Sequence, residues 1–229
     1  LQQTRTETVK GYFSRFMARF PTVRALAEAP LDDVLSLWSG LGYYSRARNL
    51  HKAAQQIRDL HDGQFPSDPL AIAALPGIGP YTSGAIRSIA LGQAAPILDG
   101  NVIRVLSRLF LLDMRPDSAE GKRRYWSLAE ELLPAATLSA TINDPGDLNQ
   151  ALMELGATIC TKSSPRCDRC PIRQHCVARL QDKTAVWPVP KKRKDVVELH
   201  WAGVVLEADG KVFLRKNPKG EWWSDLWDI

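Results

Sequence analysis

The sequence lacks any long hydrophobic run and any recognisable signal peptide. No apolar stretch approaches the roughly 18 residues that a membrane-spanning helix needs. Cysteine is also scarce, with four among 229 residues, and a secreted disulfide-rich protein would need a leader that directs it to an oxidising compartment. These absences disfavour membrane proteins and disulfide scaffolds. We therefore expect a cytoplasmic globular protein whose four cysteines serve another purpose.

The composition is that of an ordinary globular protein with an excess of positive charge. Hydrophobic residues make up 45% of the chain, charged residues make up 24%, and the formal net charge is +5. Lysine and arginine gain affinity for phosphate polymers by displacing condensed counterions, so the charge is mild evidence for a nucleic-acid partner. A solvated basic surface without such a partner is the alternative.

Apolar residues recur at helical spacing through the first 156 residues, and the pattern then changes. After Cys176 the chain carries several prolines and a basic run at 191–194. Two β-rich segments, 199–207 and 211–216, flank a turn that is typical of a hairpin. A mainly α-helical domain is therefore predicted to precede the opening of a β-containing one. The predicted helices cover 8–20, 31–38, a segment capped by Ser45, 69–75, 82–91, 101–112, 120–133 and 145–156, the last capped by Asp144.

All four cysteines fall close together, in the pattern C-x6-C-x2-C-x5-C. Thiolates in one short loop can converge on a single metal centre, and these are Cys160, Cys167, Cys170 and Cys176. Only one C-x2-C pair is present, whereas structural zinc sites usually carry two. Nested all-cysteine ligation suits a cubane iron–sulfur cluster, in which each thiolate binds a different iron. The spacing favours iron–sulfur and leaves tetrahedral zinc open.

A glycine-rich turn joins two predicted helices at 75–82. Gly77 and Gly79 flank Ile78, so the backbone can turn tightly while the isoleucine anchors the turn in the core. Such a turn exposes consecutive N–H groups beside the positive N-terminus of the next helix, and this arrangement binds phosphate without reading base sequence. The complete Leu-Pro-Gly-Ile-Gly sequence is stronger evidence than a lone G-x-G.

A lone carboxylate, Asp99, stands between an apolar segment and a predicted helix. One interpretation is that Asp99 only caps this helix. The other is that the ionised carboxylate faces a cleft beside the glycine-rich turn. There it could stabilise an oxocarbenium-like centre while a sugar–base bond breaks. The residues alone leave both interpretations open.

Together these segments resemble the helix-hairpin-helix DNA glycosylases of the endonuclease III superfamily, and most closely the MutY-type adenine DNA glycosylases. The resemblance covers nearly the whole chain, and the motifs fall in the family's order. The segments that carry it are 1–4, 40–44, 46–50, 75–82, 98–102, 153–156 and the four cysteines.

The resemblance implies a mainly α fold with a second, smaller α+β part. It predicts a six-helix barrel with the helix-hairpin-helix at 1–92 and a 4Fe–4S cluster domain at 93–185, with the four cysteines as ligands. A basic linker at 186–198 would lead to a partial Nudix-like domain at 199–229, which in this family helps to recognise 8-oxoguanine.

The resemblance also implies a reaction. Bifunctional relatives carry a lysine just after the hairpin that forms a Schiff base with the sugar, and Tyr81 stands at that position here. The expected enzyme is therefore monofunctional, and it hydrolyses the N-glycosidic bond of adenine mispaired with 8-oxoguanine or guanine after flipping the base out of the duplex. Asp99 would stabilise the sugar cation, with Tyr81 and Asn101 as polar partners.

The same resemblance predicts the contacts with double-stranded DNA. Gln3, in a motif that also contains Thr4, would wedge into the duplex, and Leu41 and Tyr43 would intercalate beside it. Gly77 and Gly79 would hold phosphate. We expect a monomer that acts on bacterial nucleoid DNA.

One expected residue does not occur. The family's general acid is a glutamate three residues before the position of Leu1, so we expect the chain to be truncated at both ends and inactive in this form. The alternatives are an endonuclease III-like pyrimidine glycosylase and AP lyase, and a non-catalytic DNA-binding module that holds zinc. A Nudix-type hydrolase is disfavoured because its sequence motif does not occur.

Overall fold

The computed structural model describes residues 4, 6–137, 144–190, 198, 202–220, 224 and 226–228. The chain divides into two compact units, Leu1–Lys191 and Lys192–Ile229. The described part of the first unit is helical, and it contains every motif that carries the predicted chemistry except Gln3. Gln3 and the basic run 191–194 lie outside the described residues.

Ten α-helices are present in the described part of the first unit. One π-helical turn, Ile86–Ala90, directly continues α6, and two 3₁₀ turns, Cys167–Arg169 and Arg173–His175, follow α9. Among the described helices, none is both long enough and apolar enough to cross a bilayer. The helices are α1 Thr6–Arg19, α2 Val23–Glu28, α3 Leu31–Trp38, α4 Tyr44–Leu60, α5 Pro69–Ala73, α6 Pro80–Ala85, α7 Gly100–Leu109, α8 Ala119–Thr137, α9 Pro145–Thr158 and α10 Val177–Leu180.

Most predicted helices are confirmed, with shifted ends. The prediction that Ser45 caps α4 is wrong, because that helix begins at Tyr44 and its N-cap is Tyr43, in the left-handed conformation. Helix α2 was not predicted, and its N-cap Thr22 accepts a hydrogen bond from the backbone N–H of Ala25. The helix predicted at 82–91 begins two residues earlier, where Pro80 occupies the first turn.

Two buried clusters hold the elements that carry the candidate site. One contains Ile97, Val102 and Leu106 with residues of α8, and Tyr81 and Met153 pack against it. The other joins α4 to the glycine-rich turn through Ala53, Ile57 and Leu75, and Ile78 packs on it as predicted. The start of α7 and the glycine-rich turn are therefore both anchored by burial of apolar side chains.

The second unit contains two short antiparallel strand pairs. Strands β1 (Glu207–Ala208) and β2 (Lys211–Val212) form the predicted hairpin, and Asp209 and Gly210 both have positive φ, at 52° and 67°. Two successive positive φ angles are typical of a type I′ turn, which matches the twist of a hairpin. Strands β3 (Arg215–Lys216) and β4 (Trp227–Asp228) form the other pair. These strands are shorter than the predicted β-rich segments.

Candidate active site and cysteine cluster

Asp99 is the N-cap of α7, and its carboxylate is held by three hydrogen bonds. Oδ1 accepts from the backbone N–H groups of Asn101 at 2.9 Å and Val102 at 2.7 Å. Oδ2 accepts from the Asn101 side-chain amide at 3.0 Å. The helix N-terminus favours a negative charge at this position. The capping interpretation is thus confirmed, and capping also fixes a partly buried charge in one orientation.

The Asn101 side chain connects this carboxylate to a neighbouring arginine. Its Nδ2 donates to Asp99, while its Oδ1 accepts from Arg104 Nη2 at 2.7 Å. Arg104 also donates through Nε to the Cys160 carbonyl and through Nη2 to the Gly156 carbonyl, both at 2.7 Å. Because both ends of the amide are occupied, Asn101 is held rigidly beside the carboxylate, in hydrogen-bonded connection with the cysteine loop.

Tyr81 lies near Asp99, on the first turn of α6. Its hydroxyl donates to the Met153 sulfur at 3.5 Å. Burial raises the pKa of the Tyr81 hydroxyl, and the negative charge of Asp99 raises that pKa further. Tyr81 therefore stays neutral at physiological pH. A neutral phenol can donate or accept a hydrogen bond, but it cannot form a Schiff base as a lysine amine would.

The two glycines of the turn have different requirements. Gly77 has φ of +81°, and a Cβ there would lie 2.8 Å from the Asn49 Cβ, so only glycine fits. Gly79 has φ of −89°, and a Cβ attached there would meet no atom within 4 Å. The backbone at Gly79 is therefore open to an approaching ligand. This geometry is compatible with the predicted phosphate contact.

Two of the predicted wedge residues, Leu41 and Tyr43, lie just before α4. Tyr43 is 61% exposed and lies in the left-handed conformation, with φ of 50°. Leu41 is partly buried, and it lines an apolar groove together with Thr4 and Arg46. Arg46 Nη2 donates to the Thr4 hydroxyl at 3.1 Å. The structure thus places two of the three predicted wedge residues, Leu41 and Tyr43, close to Arg46 together with Thr4, and the third, Gln3, is outside the described residues.

The four cysteines line one small cavity beside α7. Two of them, Cys167 and Cys170, bracket a 3₁₀ turn, and Cys176 is the N-cap of α10. Burial raises the pKa of the Cys167 thiol, and the charges of the other three cysteines raise it further, so the four sulfurs are close neighbours. Within the described residues, no three or more His, Cys, Asp or Glu side chains are arranged to hold a single metal ion.

Arg108 is a buried cation that contacts this cavity. The residue is only 2% exposed, and its Nη1 donates to the Cys160 sulfur at 3.3 Å. Its other donors go to backbone carbonyls, of Thr161 at 2.8 Å, Lys162 at 3.1 Å and Trp187 at 2.8 Å. A buried guanidinium without a carboxylate among these partners suits a site that carries negative charge, such as thiolates.

Arg104 and Arg108 were not identified from the sequence. Both lie on α7, four residues apart and on one face of the helix, downstream of Asp99. This i,i+4 spacing was the only local signal that could have paired them, and solvated arginines show the same spacing.

Comparison with known proteins identifies the family. Residues 1–131 match the family model described as "HhH-GPD superfamily base excision DNA repair protein". The chain is 37% identical over 227 residues to the adenine DNA glycosylase of Buchnera aphidicola subsp. Acyrthosiphon pisum, covering 99% of this chain and 63% of that protein. It is 48% identical over 183 residues to the Schizosaccharomyces pombe adenine DNA glycosylase, covering 78% of this chain and 38% of that protein. The human adenine DNA glycosylase is 44% identical over 180 residues, which are 78% of this chain and 32% of that protein.

Solved structures share the fold. A thermostable thymine-DNA glycosylase superposes with a TM-score of 0.67 at 26% identity, covering 78% of this chain and 79% of that one. An endonuclease III–DNA complex superposes with a TM-score of 0.64 at 23% identity, covering 79% and 80% of the two chains. The chain spans less than two thirds of the length of the Buchnera relative. The mainly helical fold and the match to more than half of its residues place this chain in the HhH-GPD superfamily of base excision DNA repair proteins.

Proposed function

We propose that the protein is a monofunctional adenine DNA glycosylase that acts on adenine mispaired with 8-oxoguanine or guanine in double-stranded DNA. The observation that carries the proposal is the proximity of Asp99 to Tyr81. Asp99, at the start of α7, is a carboxylate fixed by three hydrogen bonds, and Tyr81, at the start of α6, is a neutral tyrosine. The names and identities of the relatives support adenine as the excised base.

The proposed reaction depends on the negative charge of Asp99. As the bond between adenine and C1′ breaks, positive charge develops on the sugar, and the fixed Asp99 carboxylate stabilises it. Water supplies the oxygen that bonds to C1′, and adenine leaves with a proton. Tyr81 is not a nucleophile in this scheme, and Asn101 holds the carboxylate in place. The reaction therefore ends at an abasic site without cutting the strand.

The contacts with DNA use the other two motifs. A base must leave the helix to reach Asp99, and the wedge residues Gln3, Leu41 and Tyr43 would fill the space it leaves, with Thr4 contacting the DNA beside them. The turn at Gly77 and Gly79, whose backbone is open at Gly79, would accept a phosphate of the same duplex. We propose that the protein does this as a monomer.

The cysteine cavity fits a 4Fe–4S cluster. All four sulfurs line it, and a cubane cluster uses four thiolates because each of them binds a different iron. Cys160, Cys167, Cys170 and Cys176 would hold the cluster, and Arg108 would offset its negative charge. When bound, the cluster holds the basic loop 160–176 in its folded shape.

The domain assignment follows from the same resemblance. We propose the helix-hairpin-helix barrel at 1–92, the cluster domain at 93–185, the linker at 186–198 and a Nudix-like segment at 199–229 that helps to recognise 8-oxoguanine.

A single-turnover assay tests the proposed reaction. A duplex with one A:8-oxoguanine pair is incubated with the 229 residues and, in parallel, with the sequence extended upstream through the expected glutamate. We expect the extended sequence to release adenine and leave an alkali-labile site, with no covalent adduct after borohydride treatment. A trapped adduct would instead support the endonuclease III-like lyase. DNA binding without base release by either protein would support the non-catalytic module.

A further inference from the structure

The turn that carries Tyr43 has an unusual backbone. Gly40 and Gly42 have φ of 88° and 70°, and Tyr43 itself has φ of 50°. The left-handed region is unfavourable for a bulky residue, and such conformations persist only where the surroundings enforce them. Tyr43 is also an N-cap that makes no side-chain capping hydrogen bond. The exposed ring therefore needs another source of order.

Arg46, in the first turn of α4, contacts three other residues. Its guanidinium lies 5.1 Å from the centroid of the Tyr43 ring and 5.7 Å from the centroid of the Trp38 ring. Its Nη2 donates to the Thr4 hydroxyl at 3.1 Å. A guanidinium within about 6 Å of an aromatic centroid is attracted to the ring. One side chain thus connects the exposed tyrosine, a partly buried tryptophan and the segment that contains Thr4.

The backbone of the turn is held separately from Arg46. The Trp38 indole donates to the Gly42 carbonyl at 3.1 Å, and the Gly40 N–H donates to the Tyr44 hydroxyl at 3.4 Å. These bonds fix the path of the chain but make no contact with the Tyr43 ring. The order of the ring therefore depends on Arg46 rather than on the bonds that shape the turn.

We propose that Arg46 is a positioning residue that orders the Tyr43 ring and Thr4 before DNA binds. The wedge then enters a mispaired duplex already ordered. The inference rests on the proposed function, because it takes Tyr43 as the wedge. Ordering a side chain in advance removes an entropic cost from binding. Removal of Arg46 therefore weakens binding through Tyr43 rather than by the loss of charge alone.

The first test uses DNA-free protein. Arg46→Gln removes the guanidinium, and Arg24→Gln, at an exposed arginine of α2, is the matched control. NMR relaxation of the Tyr43 ring C–H groups in the full 229-residue chain should show the ring order parameter falling in Arg46→Gln only, while the backbone order parameter of Tyr43 stays in the rigid range near 0.85 in both variants. An unchanged ring order parameter would overturn the inference, whatever the DNA result.

The second test is a double-mutant cycle on binding to a labelled A:8-oxoguanine duplex. Arg46→Gln should weaken binding about five-fold in the wild-type background, and less than two-fold when Tyr43 is already alanine. Equal losses in both backgrounds would overturn the inference and leave the wedge intact. If Tyr43→Ala has no effect on binding, the wedge role and this inference both fail. If the wild-type chain does not prefer the mispaired duplex to a matched one, the proposed function fails. The NMR measurement on DNA-free protein still tests whether Arg46 orders Tyr43.

Discussion

At the scale of single residues, two tyrosines hold their protons unusually strongly. Burial raises the pKa of Tyr81, with the charge of Asp99 as the second cause. Burial also raises the pKa of Tyr125, which is completely buried in the α7–α8 cluster. The neutral phenol at Tyr81 leaves Asp99 as the fixed negative charge of this pair.

These shifts predict a loss of stability at alkaline pH. In the unfolded chain a tyrosine ionises near pH 10, whereas the fold keeps both protons to a higher pH. The folded state then binds more protons than the unfolded state, so the free energy of unfolding falls as pH rises from about 10 through the raised pKa values. Thermal unfolding between about pH 9 and pH 12 should show a smaller fall in Tyr81→Phe and Tyr125→Phe. Wild-type and variant curves with the same slope would contradict this assignment.

At the scale of elements, α7 connects the candidate reaction centre to the cysteine loop. Asp99 caps the helix, Arg104 reaches the Cys160 carbonyl and Arg108 reaches the Cys160 sulfur. Met153 and Gly156 of α9 lie against the same region. The Met153 sulfur accepts a hydrogen bond from Tyr81. Gly156 lets α9 approach so closely that a Cβ at position 156 would lie 2.6 Å from the Asn101 Cβ. The packing of α7 against α9 thus fixes the positions of Asp99, Asn101 and the start of the cysteine loop.

The glycine-rich turn gives a paired prediction. Gly77→Ala should destabilise the fold by about 1–3 kcal/mol, because alanine would be strained at a positive φ and would meet Asn49. Gly79→Ala should change stability by less than about 0.5 kcal/mol, since its Cβ meets no atom. If the turn holds phosphate, Gly79→Ala should nevertheless weaken DNA binding. Denaturant unfolding and duplex titration measure the two effects. Equal destabilisation by both substitutions would show that the turn is built differently.

Local signals predicted some elements and could not predict others. The cap Asp144 with Pro145 in the first turn marked the start of α9, and apolar spacing marked α3. The start of α4 was misplaced because the left-handed conformation of Tyr43 depends on its surroundings rather than on its residue type. Arg104 and Arg108 were missed because their partners outside α7 lie 52 to 79 residues away along the chain. Only tertiary packing brings those groups together.

At the scale of the whole molecule, the motifs proposed to carry the reaction and to bind the cluster belong to one compact unit. That unit ends at Lys191, and the hairpin-containing residues from Lys192 form the other. The cysteine quartet and Asp99 were predictable because each is marked by a short local pattern. Their connection through α7 was not, since it depends on how the first unit packs as a whole.

The metal content of the intact chain tests the cluster proposal without any assay of activity. Anaerobically purified protein should contain about four irons per chain and absorb visible light, as a 4Fe–4S cluster does. Cys167→Ala should lower the iron content, and its matched control Ser164→Ala, in the same loop, should not. About one zinc per chain in colourless protein would contradict the proposal and support the zinc module.

The most direct test of the central claim is adenine release by Asp99→Asn. Asparagine caps a helix as well as aspartate does, so the substitution removes the charge and preserves the cap. We predict that single-turnover release from an A:8-oxoguanine duplex, in the sequence extended upstream through the expected glutamate, falls by about 100- to 1,000-fold. Asp68→Asn, which alters the equivalent cap of α5, should stay within about two-fold of wild type. Release at the wild-type rate by Asp99→Asn would show that Asp99 is only a cap, and would contradict the account.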